Sequence, residues 1–254
     1  MNKFLVLLAV VCVASAMAES TVLKVIDFET SEGYNPGTLK GQNGWTYDWS
    51  SDDANMVVND AEVAPSGSQY YLMGEDGNDA RGRVTFDISS QYAAGAKLRI
   101  SWFSAGKSGK THYAKFHDLG TTGKPYNVEI CELTISGNSS NLNVSKEDKS
   151  GTTSFNKSLA DPTAFHEFSV LIDPPTKTIK EYTVDGEVIF DGSSVYYYKS
   201  EAFGDAIGQG GALIDGIRCQ GAGMFDGLKV EMVPEPAFFG LVALLGLFFA
   251  RKQC

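Results

Sequence analysis

The chain has 254 residues, of which 43% are hydrophobic, and its formal net charge is −10. This length is typical of one domain with a substantial core, since all-β sandwiches reach about 200–250 residues. The acidic balance argues against nucleic acid or anionic lipid as a partner, because like charges repel.

The N-terminus has the pattern of an export signal. Lys3 supplies a small basic region, residues 4–14 are apolar, and Ala16 and Ala18 fit the small-x-small cleavage pattern. We therefore expect signal peptidase to cut after Ala18. Cys12 leaves lipoprotein processing as the minor alternative, because the residue before it is bulkier than such signals prefer.

Between the two ends the chain is predicted to be almost entirely β-strand. Leu98, Ile100 and Trp102 alternate with polar residues and so share one face of a strand, Trp102 being a core residue. Asp185 and Gly186 predict a two-residue hairpin turn. Many short strands with Gly- and Asp-rich turns favour a two-sheet antiparallel sandwich, an all-β fold.

The predicted strands are bounded by turn residues. They are 22–28, 55–59, 69–73, 81–87, 97–104, 111–116, 127–136, 167–172, 178–184, 187–190, 211–219 and 224–232. The polar stretch 136–156 is expected to be a long loop between strands.

Several short motifs of the body carry a likeness to a known family. They are Val-Ile-Asp-Phe-Glu at 25–29, Gly-Gln-Asn-Gly-Trp at 41–45, Tyr-Thr-Val-Asp-Gly at 182–186 and Met-Phe-Asp-Gly-Leu-Lys-Val at 224–230. Together they resemble exported concanavalin A-like, or laminin-G-like, jelly-roll domains. The resemblance implies a jelly-roll sandwich whose last strand pairs with its first, and a ligand face that includes the hairpin at 182–186. It bears on fold more than on function.

The C-terminal segment 233–254 begins with a break in the sheet. Pro234 and Pro236 flank Glu235, and neither proline can donate a backbone hydrogen bond. The apolar run 237–250 follows, which as a helix would span about 21 Å, short of a bilayer core of roughly 30 Å.

Arg251 and Lys252 complete the segment with a positive stop that favours a cytoplasmic C-terminus. A Pro-Glu-Pro motif, an apolar helix and a basic end in this order resemble the PEP-CTERM sorting signal of Gram-negative bacteria. The resemblance implies processing by a membrane-embedded exosortase, with a transient inner-membrane intermediate held through 237–250. An uncleaved tail anchor and a buried C-terminal helix are the alternatives. The expected organisation is a signal peptide at 1–18, a β-sandwich at 19–232 and a sorting segment at 233–254.

Two cysteines, Cys131 and Cys219, remain once both ends are removed. In an exported, oxidising setting they could form one disulfide. Two buried thiols are the alternative, because the sequence does not show whether the residues are close in space.

The sequence lacks an intact catalytic motif of the glycoside hydrolases that share the resembled fold. Laminarinase-like members of the resembled fold carry Glu-x-Asp-x-Glu, or Glu-x-Asp-x-x-Glu with a bulge, so that the carboxylates share a face. Here Glu129 and Glu132 lie three apart and are expected to face opposite sides, and Cys131 replaces the middle Asp. No catalytic residue is therefore assigned.

Metal sites are not expected either. Residues 75–79 offer acidic oxygens near a Gly but lack the twelve-residue calcium-loop pattern, so calcium there is only the alternative. His112, His117 and His166 are scattered, and the first two would point apart on a strand, which argues against zinc.

Sugar binding has a sequence candidate. Trp45, Tyr47 and Trp49 alternate, so they lie on one side of an extended segment, and Asp52 and Asp53 follow. Exposed aromatics beside acidic groups can stack on sugar rings and bond to hydroxyls. The alternative is that the aromatics close the core; the tyrosines at 196–198 carry the same ambiguity.

The sequence therefore predicts an exported, non-catalytic protein sorted by an exosortase to the cell surface or extracellular matrix. Its expected partners are signal peptidase, exosortase and an extracellular polysaccharide. The alternatives are a diverged glycoside hydrolase or lyase of the same fold, and a purely structural surface protein without a ligand.

Overall fold

The computed structural model describes residues 20–47, 55–74, 80–118, 128–145, 152–176, 178–192, 213–214 and 216–233. Within these ranges the chain is β-strand apart from turns and two short 3-10 segments. The strands are β1 (Thr21–Ile26), β2 (Gly37–Thr38), β3 (Thr46–Tyr47), β4 (Asn55–Asn59), β5 (Gln69–Met73), β6 (Ala80–Thr85), β7 (Lys97–Gly106), β8 (Thr111–Asp118), β9 (Val128–Ser136), β10 (Ser139–Ser145), β11 (Thr152–Ser158), β12 (His166–Asp173), β13 (Thr178–Val184), β14 (Glu187–Asp191), β15 (Gly216–Gly221) and β16 (Gly223–Val233).

The strands form two antiparallel sheets. Sheet A has the order β14-β13-β12-β7-β16-β5-β4-β2, with β1 also on β16, and sheet B has the order β11-β10-β9-β8-β15-β6-β3. The sheets share one apolar core: the Trp102 ring of sheet A lies 4.5 Å from Phe116 of sheet B and 5.8 Å from Phe168. The fold is thus an all-β, two-sheet antiparallel sandwich, as predicted, and the last described strand pairs with the first.

Local patterns located several elements correctly. The strands predicted at 55–59, 69–73 and 178–184 have those bounds, and Trp102 is fully buried. Asp185 and Gly186 both have positive φ, at 50° and 75°, as a primed hairpin turn between β13 and β14 requires.

The long loop predicted at 136–156 is wrong over most of its length, because β10 and the start of β11 occupy it. These strands place Ser, Thr and Asn on their outward side, and Leu142 and Val144 are the buried apolar residues of β10. Such a strand has few apolar residues to signal its period, so its composition resembles that of a loop.

The predicted disulfide is also wrong: Cys131 and Cys219 are both buried thiols. Cys131 pairs with Phe116 and Cys219 with Ala114, so β8 lies between the two cysteines. Two interstrand spacings amount to about 9.5 Å, beyond the roughly 7 Å that a disulfide can bridge. Burial raises the pKa of the Cys219 thiol well above its ordinary value.

No helix among the described residues is long and apolar enough to cross a membrane. The predicted signal peptide and the apolar run 237–250 lie outside those residues.

A buried carboxyl marks the middle of the last strand. Asp226 is fully buried at a bulge in β16, and its Oδ2 accepts a hydrogen bond of 3.2 Å from the Ser66 N–H. Burial raises the pKa of Asp226 to about 8; the charges of Asp27 and Glu29 add to the rise, and the N–H groups of Gly227 and Ser66 oppose it. Near neutral pH the folded protein therefore holds a proton here that the unfolded chain releases.

We predict that the contribution of Asp226 to the free energy of unfolding falls as pH rises from about 4 to about 8, by at most about 1.4 kcal/mol per pH unit. The sign follows because the folded-state pKa of Asp226 lies above that of the unfolded chain, so its stabilisation is complete below the unfolded value and is lost as pH rises to the folded value. The difference between wild type and Asp226→Asn isolates this contribution from that of the buried His112 and His117, whose lowered pKa values act in the opposite direction around pH 6.5. Asp226→Asn should remove this slope in urea denaturation. Asp87→Asn is the matched control, since hydrogen bonds from Ser89 lower the pKa of Asp87 and keep it ionised throughout. An unchanged slope in Asp226→Asn would contradict the assignment.

Candidate functional site

Trp45 is not part of an exposed aromatic surface, contrary to the sugar-binding prediction for this residue. Trp45 is fully buried, with its ring 5.7 Å from Phe28 and 5.3 Å from Tyr71, and its Nε1 donates a 3.0 Å hydrogen bond to the Tyr34 hydroxyl. The alternative reading, that this residue closes the core, is therefore correct for Trp45. Tyr47 lies in β3; Trp49, Asp52, Asp53 and the tyrosines at 196–198 fall outside the described residues.

A different surface, the outward side of sheet B, concentrates polar chemistry. On β8, Ala114 and Phe116 point into the core, so Tyr113 and Lys115 point outward; on β15, buried Cys219 separates outward Arg218 and Gln220. We call this outward side the polar face. Its half-buried side chains from the middle strands are Arg81, Arg83, Tyr113, Lys115, Glu132, Arg218 and Gln220.

Strand register places three cations side by side on the polar face. Arg83 of β6 pairs with Arg218 of β15, and Arg218 pairs with Lys115 of β8. We call these three residues the basic row. Lys115 then forms an ion pair with Glu132 of β9, its cross-strand neighbour, and its Nζ lies 5.4 Å from the centre of the Tyr113 ring.

Beyond Glu132 the polar face continues as an amide and hydroxyl network. Asn143 donates to Glu132 at 3.3 Å and to the Thr134 hydroxyl at 3.0 Å, and accepts from Ser154 at 2.7 Å. A parallel row on the same strands links Asn156 to the Asn141 carbonyl at 2.7 Å. The side chains are held in place by one another, which makes this half of the face pre-ordered.

His117 lies beside the basic row but is 4% exposed, and neither of its ring nitrogens has a hydrogen-bond partner. By alternation along β8 it falls on the same side as Tyr113 and Lys115. Burial, together with the nearby charges of Arg218, Lys115 and Arg83, lowers the pKa of His117 to about 3. The ring is therefore neutral at physiological pH and presents one N–H donor and one acceptor nitrogen.

A bulge interrupts β9 between its two glutamates. Cys131 pairs with Phe116 but Glu129 pairs with His117, so Ile130 is the extra residue. A bulge interrupts alternation, so the three-residue spacing of Glu129 and Glu132 does not decide whether they share a side of the sheet. Sequence alternation could not reveal this, because the extra residue appears only in the pairing with β8.

Histidines do not assemble a metal site. His112 is buried in the core with its Nε2 3.3 Å from the Ser104 hydroxyl, whereas His166 bonds to Asp185 at 2.7 Å. In the part of the chain that the structure describes, no group of three or more His, Cys, Asp or Glu residues is arranged to hold a metal ion. The candidate calcium loop at 75–79 lies outside that part.

Comparison with known proteins finds relatives by shape only: no family model and no curated protein matches the chain. Among solved structures, the chain is similar to a non-specific endo-β-1,3(4)-glucanase of glycoside hydrolase family 16, at 12% identity and a TM-score of 0.46, over 86% of this chain and 93% of that one. A galectin-like protein of unknown function from Bacillus subtilis has 7% identity and a TM-score of 0.46, over 86% and 99%. Botulinum neurotoxin type C has 11% identity and a TM-score of 0.47, over 88% of this chain and 50% of the toxin chain. Likeness at these levels carries nothing about ligand or reaction.

The placement of Trp45 gives a direct prediction. Trp45→Ala should lower the free energy of unfolding by about 3–5 kcal/mol, the usual cost of emptying a buried aromatic site. Urea denaturation measures this, with Val188→Ala as the exposed control, expected to change stability by less than about 0.5 kcal/mol. A change in the free energy of unfolding of less than about 0.5 kcal/mol for Trp45→Ala would contradict the buried position of this residue.

Proposed function

We propose that the chain is an exported, non-catalytic glycan-binding protein and that the polar face of sheet B is its binding surface. The observation that carries the proposal is the composition of that face: one outward aromatic ring, Tyr113, stands among amides, hydroxyls and charged groups. Sugar rings offer apolar faces that stack on aromatics and hydroxyls that bond to amides and carboxylates. A strand surface that served only solubility would not need its polar groups ordered by mutual hydrogen bonds.

A non-catalytic role is supported by the environment of Glu132. Its carboxylate is only 16% exposed and is shared by Lys115, Thr134 and Asn143. An ammonium and two hydrogen-bond donors already occupy the carboxylate oxygens, whereas a general acid must present its carboxyl group to the glycosidic oxygen of the substrate. Cys131, at the position of the middle Asp, points into the core.

Glycoside hydrolysis is the second candidate, and the β9 bulge is the observation that favours it. Across the bulge, Glu129 pairs with His117 and Glu132 pairs with Lys115, and the pair of Cys131 with Phe116 lies between them. A retaining mechanism requires two carboxylates on one face, which the interrupted alternation no longer argues against.

Tyr113 provides the test of the binding surface. The full-length protein, screened on a glycan array of neutral and acidic polysaccharides, should bind at least one class, and Tyr113→Ala should weaken that binding by about tenfold through the loss of ring stacking. Phe103→Ala is the matched control, since Phe103 is a half-buried aromatic on the opposite, outward side of sheet A.

Equal losses in both variants would mean that Tyr113 acts through stability and not at a binding surface. The same incubations report on the second candidate: release of reducing ends that disappears in Glu132→Gln would replace the binding proposal with hydrolysis.

We further propose that the tail at 233–254 is a PEP-CTERM signal read by exosortase, so that the protein passes through the inner membrane on its way to the cell surface or matrix. The support is the order Pro234-Glu235-Pro236, apolar run 237–250, then Arg251 and Lys252. Export by the segment ending at Ala18 is part of the same proposal.

Replacing both prolines tests the tail. Pro234→Ala with Pro236→Ala should leave full-length protein in the inner-membrane fraction, because the processing motif is lost while the apolar run remains. Cell fractionation and immunoblotting measure this. The control exchanges Glu231→Gln just upstream, which should be released normally; release of the double-proline variant at the wild-type level would refute the sorting proposal.

A further inference from the structure

We propose that the glycan bound by the polar face is acidic, a chain bearing carboxylate or sulfate groups in succession, and that the basic row is the subsite that reads them. This inference rests on the proposed glycan-binding function and names the class of its ligand. The observation behind it is the register that aligns Arg83, Arg218 and Lys115 on three adjacent strands.

The spacing of the basic row matches a ligand with several anionic groups. Neighbouring strands lie about 4.8 Å apart, so the three cations span two such steps across the sheet. One carboxylate cannot reach both ends of the row, but an extended polyanion laid across the strands meets each cation in turn.

The chemistry of the row favours carboxylate and sulfate. Arg83 and Arg218 carry planar guanidinium groups, which bind such oxyanions through two parallel hydrogen bonds. Arg81, which pairs with Gln220 one position along, adds a further cation and an amide to the same side. The row is positive although the chain as a whole carries −10.

His117 supplies a second, independent observation. Its ring is buried beside the row with both nitrogens lacking partners, although buried polar atoms are usually hydrogen-bonded. The neutral imidazole leaves an unsatisfied donor and acceptor next to the three cations, covered in the free protein. Its pairing neighbour on β15, Gly216, has no side chain to satisfy them.

The rest of the face discriminates between polyanions. Single-stranded nucleic acids are held by rows of aromatics on which successive bases stack, whereas Tyr113 is the one aromatic residue aligned with the basic row on the described strands β6, β15 and β8. The Asn and Ser side chains at 139–143 and 154–158 suit sugar hydroxyls. The acidic residues elsewhere on the surface repel an anionic ligand, but this repulsion is screened over about 10 Å at 0.1 M salt. The cations of the basic row, which lie closest to the ligand, therefore contribute most to binding.

Isothermal titration of the full-length protein with three oligosaccharides tests the inference: an oligouronate, a sulfated galactan fragment and neutral laminarin fragments. At least one of the acidic probes should bind more tightly than laminarin, with an affinity that falls as NaCl rises from about 0.05 to about 0.5 M. The two acidic arms distinguish carboxylate from sulfate. Arg218→Gln should weaken acidic binding by about tenfold, the order expected for losing one charge-assisted interaction.

Arg99→Gln is the matched control. Arg99 is a half-buried arginine on the outward side of sheet A, bonded to Glu181 at 2.7 Å, and its loss should change binding less than twofold. If Arg218→Gln does not fold, Arg83→Gln takes its place, and the salt dependence of the wild-type protein tests the row without any substitution.

Failure of the inference is distinguishable from failure of the proposed function. Laminarin binding as tight as acidic binding, or an unaffected Arg218→Gln, overturns the acidic ligand but leaves glycan binding standing. Absence of binding to every glycan overturns both. Tight binding of single-stranded DNA to the same face would also overturn the inference, in favour of a nucleic acid.

Discussion

Sheet A depends on the pairing of its last strand. β16 bonds along one edge to β7 and along the other to β5 and then β1, so three strands from the first half of the chain meet on it. The change of partner occurs at the bulge near Asp226, where Gly227 takes a positive φ of 58°. These contacts join residues that are more than 100 positions apart, from Gly106 with Gly223 to Thr21 with Met232, and such non-local pairing makes folding slow. The carboxyl at the junction is buried because both edges of the strand around it are covered.

The core and the polar face are connected through β6. Gly82 lies under the aromatic cluster, and a Cβ there would sit 2.5 Å from the Tyr71 hydroxyl and 3.4 Å from the Trp45 ring. The absence of a side chain lets β6 approach the cluster closely. Because Arg81 and Arg83 flank this glycine on the outward side, the packing of the core sets the height and register of two of the cations that face solvent.

Sequence reasoning succeeded where one face of a strand is apolar and failed where it is not. The alternation of Leu98, Ile100 and Trp102 with polar residues predicted strand β7. The positive φ values of Asp185 and Gly186 follow because Asp-Gly is a residue pair typical of primed hairpin turns. β10 was missed since its outward side is Ser and Asn. Trp45 was weighed as a surface residue because its alternation with Tyr47 shows that they share a side but not which side faces water.

The polar face could be anticipated only in part. Alternation places Tyr113 and Lys115 on one side of β8, and the same holds for Arg218 and Gln220 on β15. What aligns Lys115 with Arg218 and then Arg83 is the register between strands more than 100 residues apart, which no local pattern encodes. The bulge at Ile130 is invisible for the same reason, because it exists only relative to β8.

The antiparallel match of Thr21 with Met232 gives the sandwich one corner at which the polypeptide both enters and leaves. A segment attached at that corner holds the sandwich at one point, and the sandwich extends from this point along the axis of β16. Eleven residues of strand correspond to a reach of roughly 35 Å. Anything joined to the sandwich before residue 20 or after residue 233 is therefore attached at this same corner, one strand length from the far end of β16.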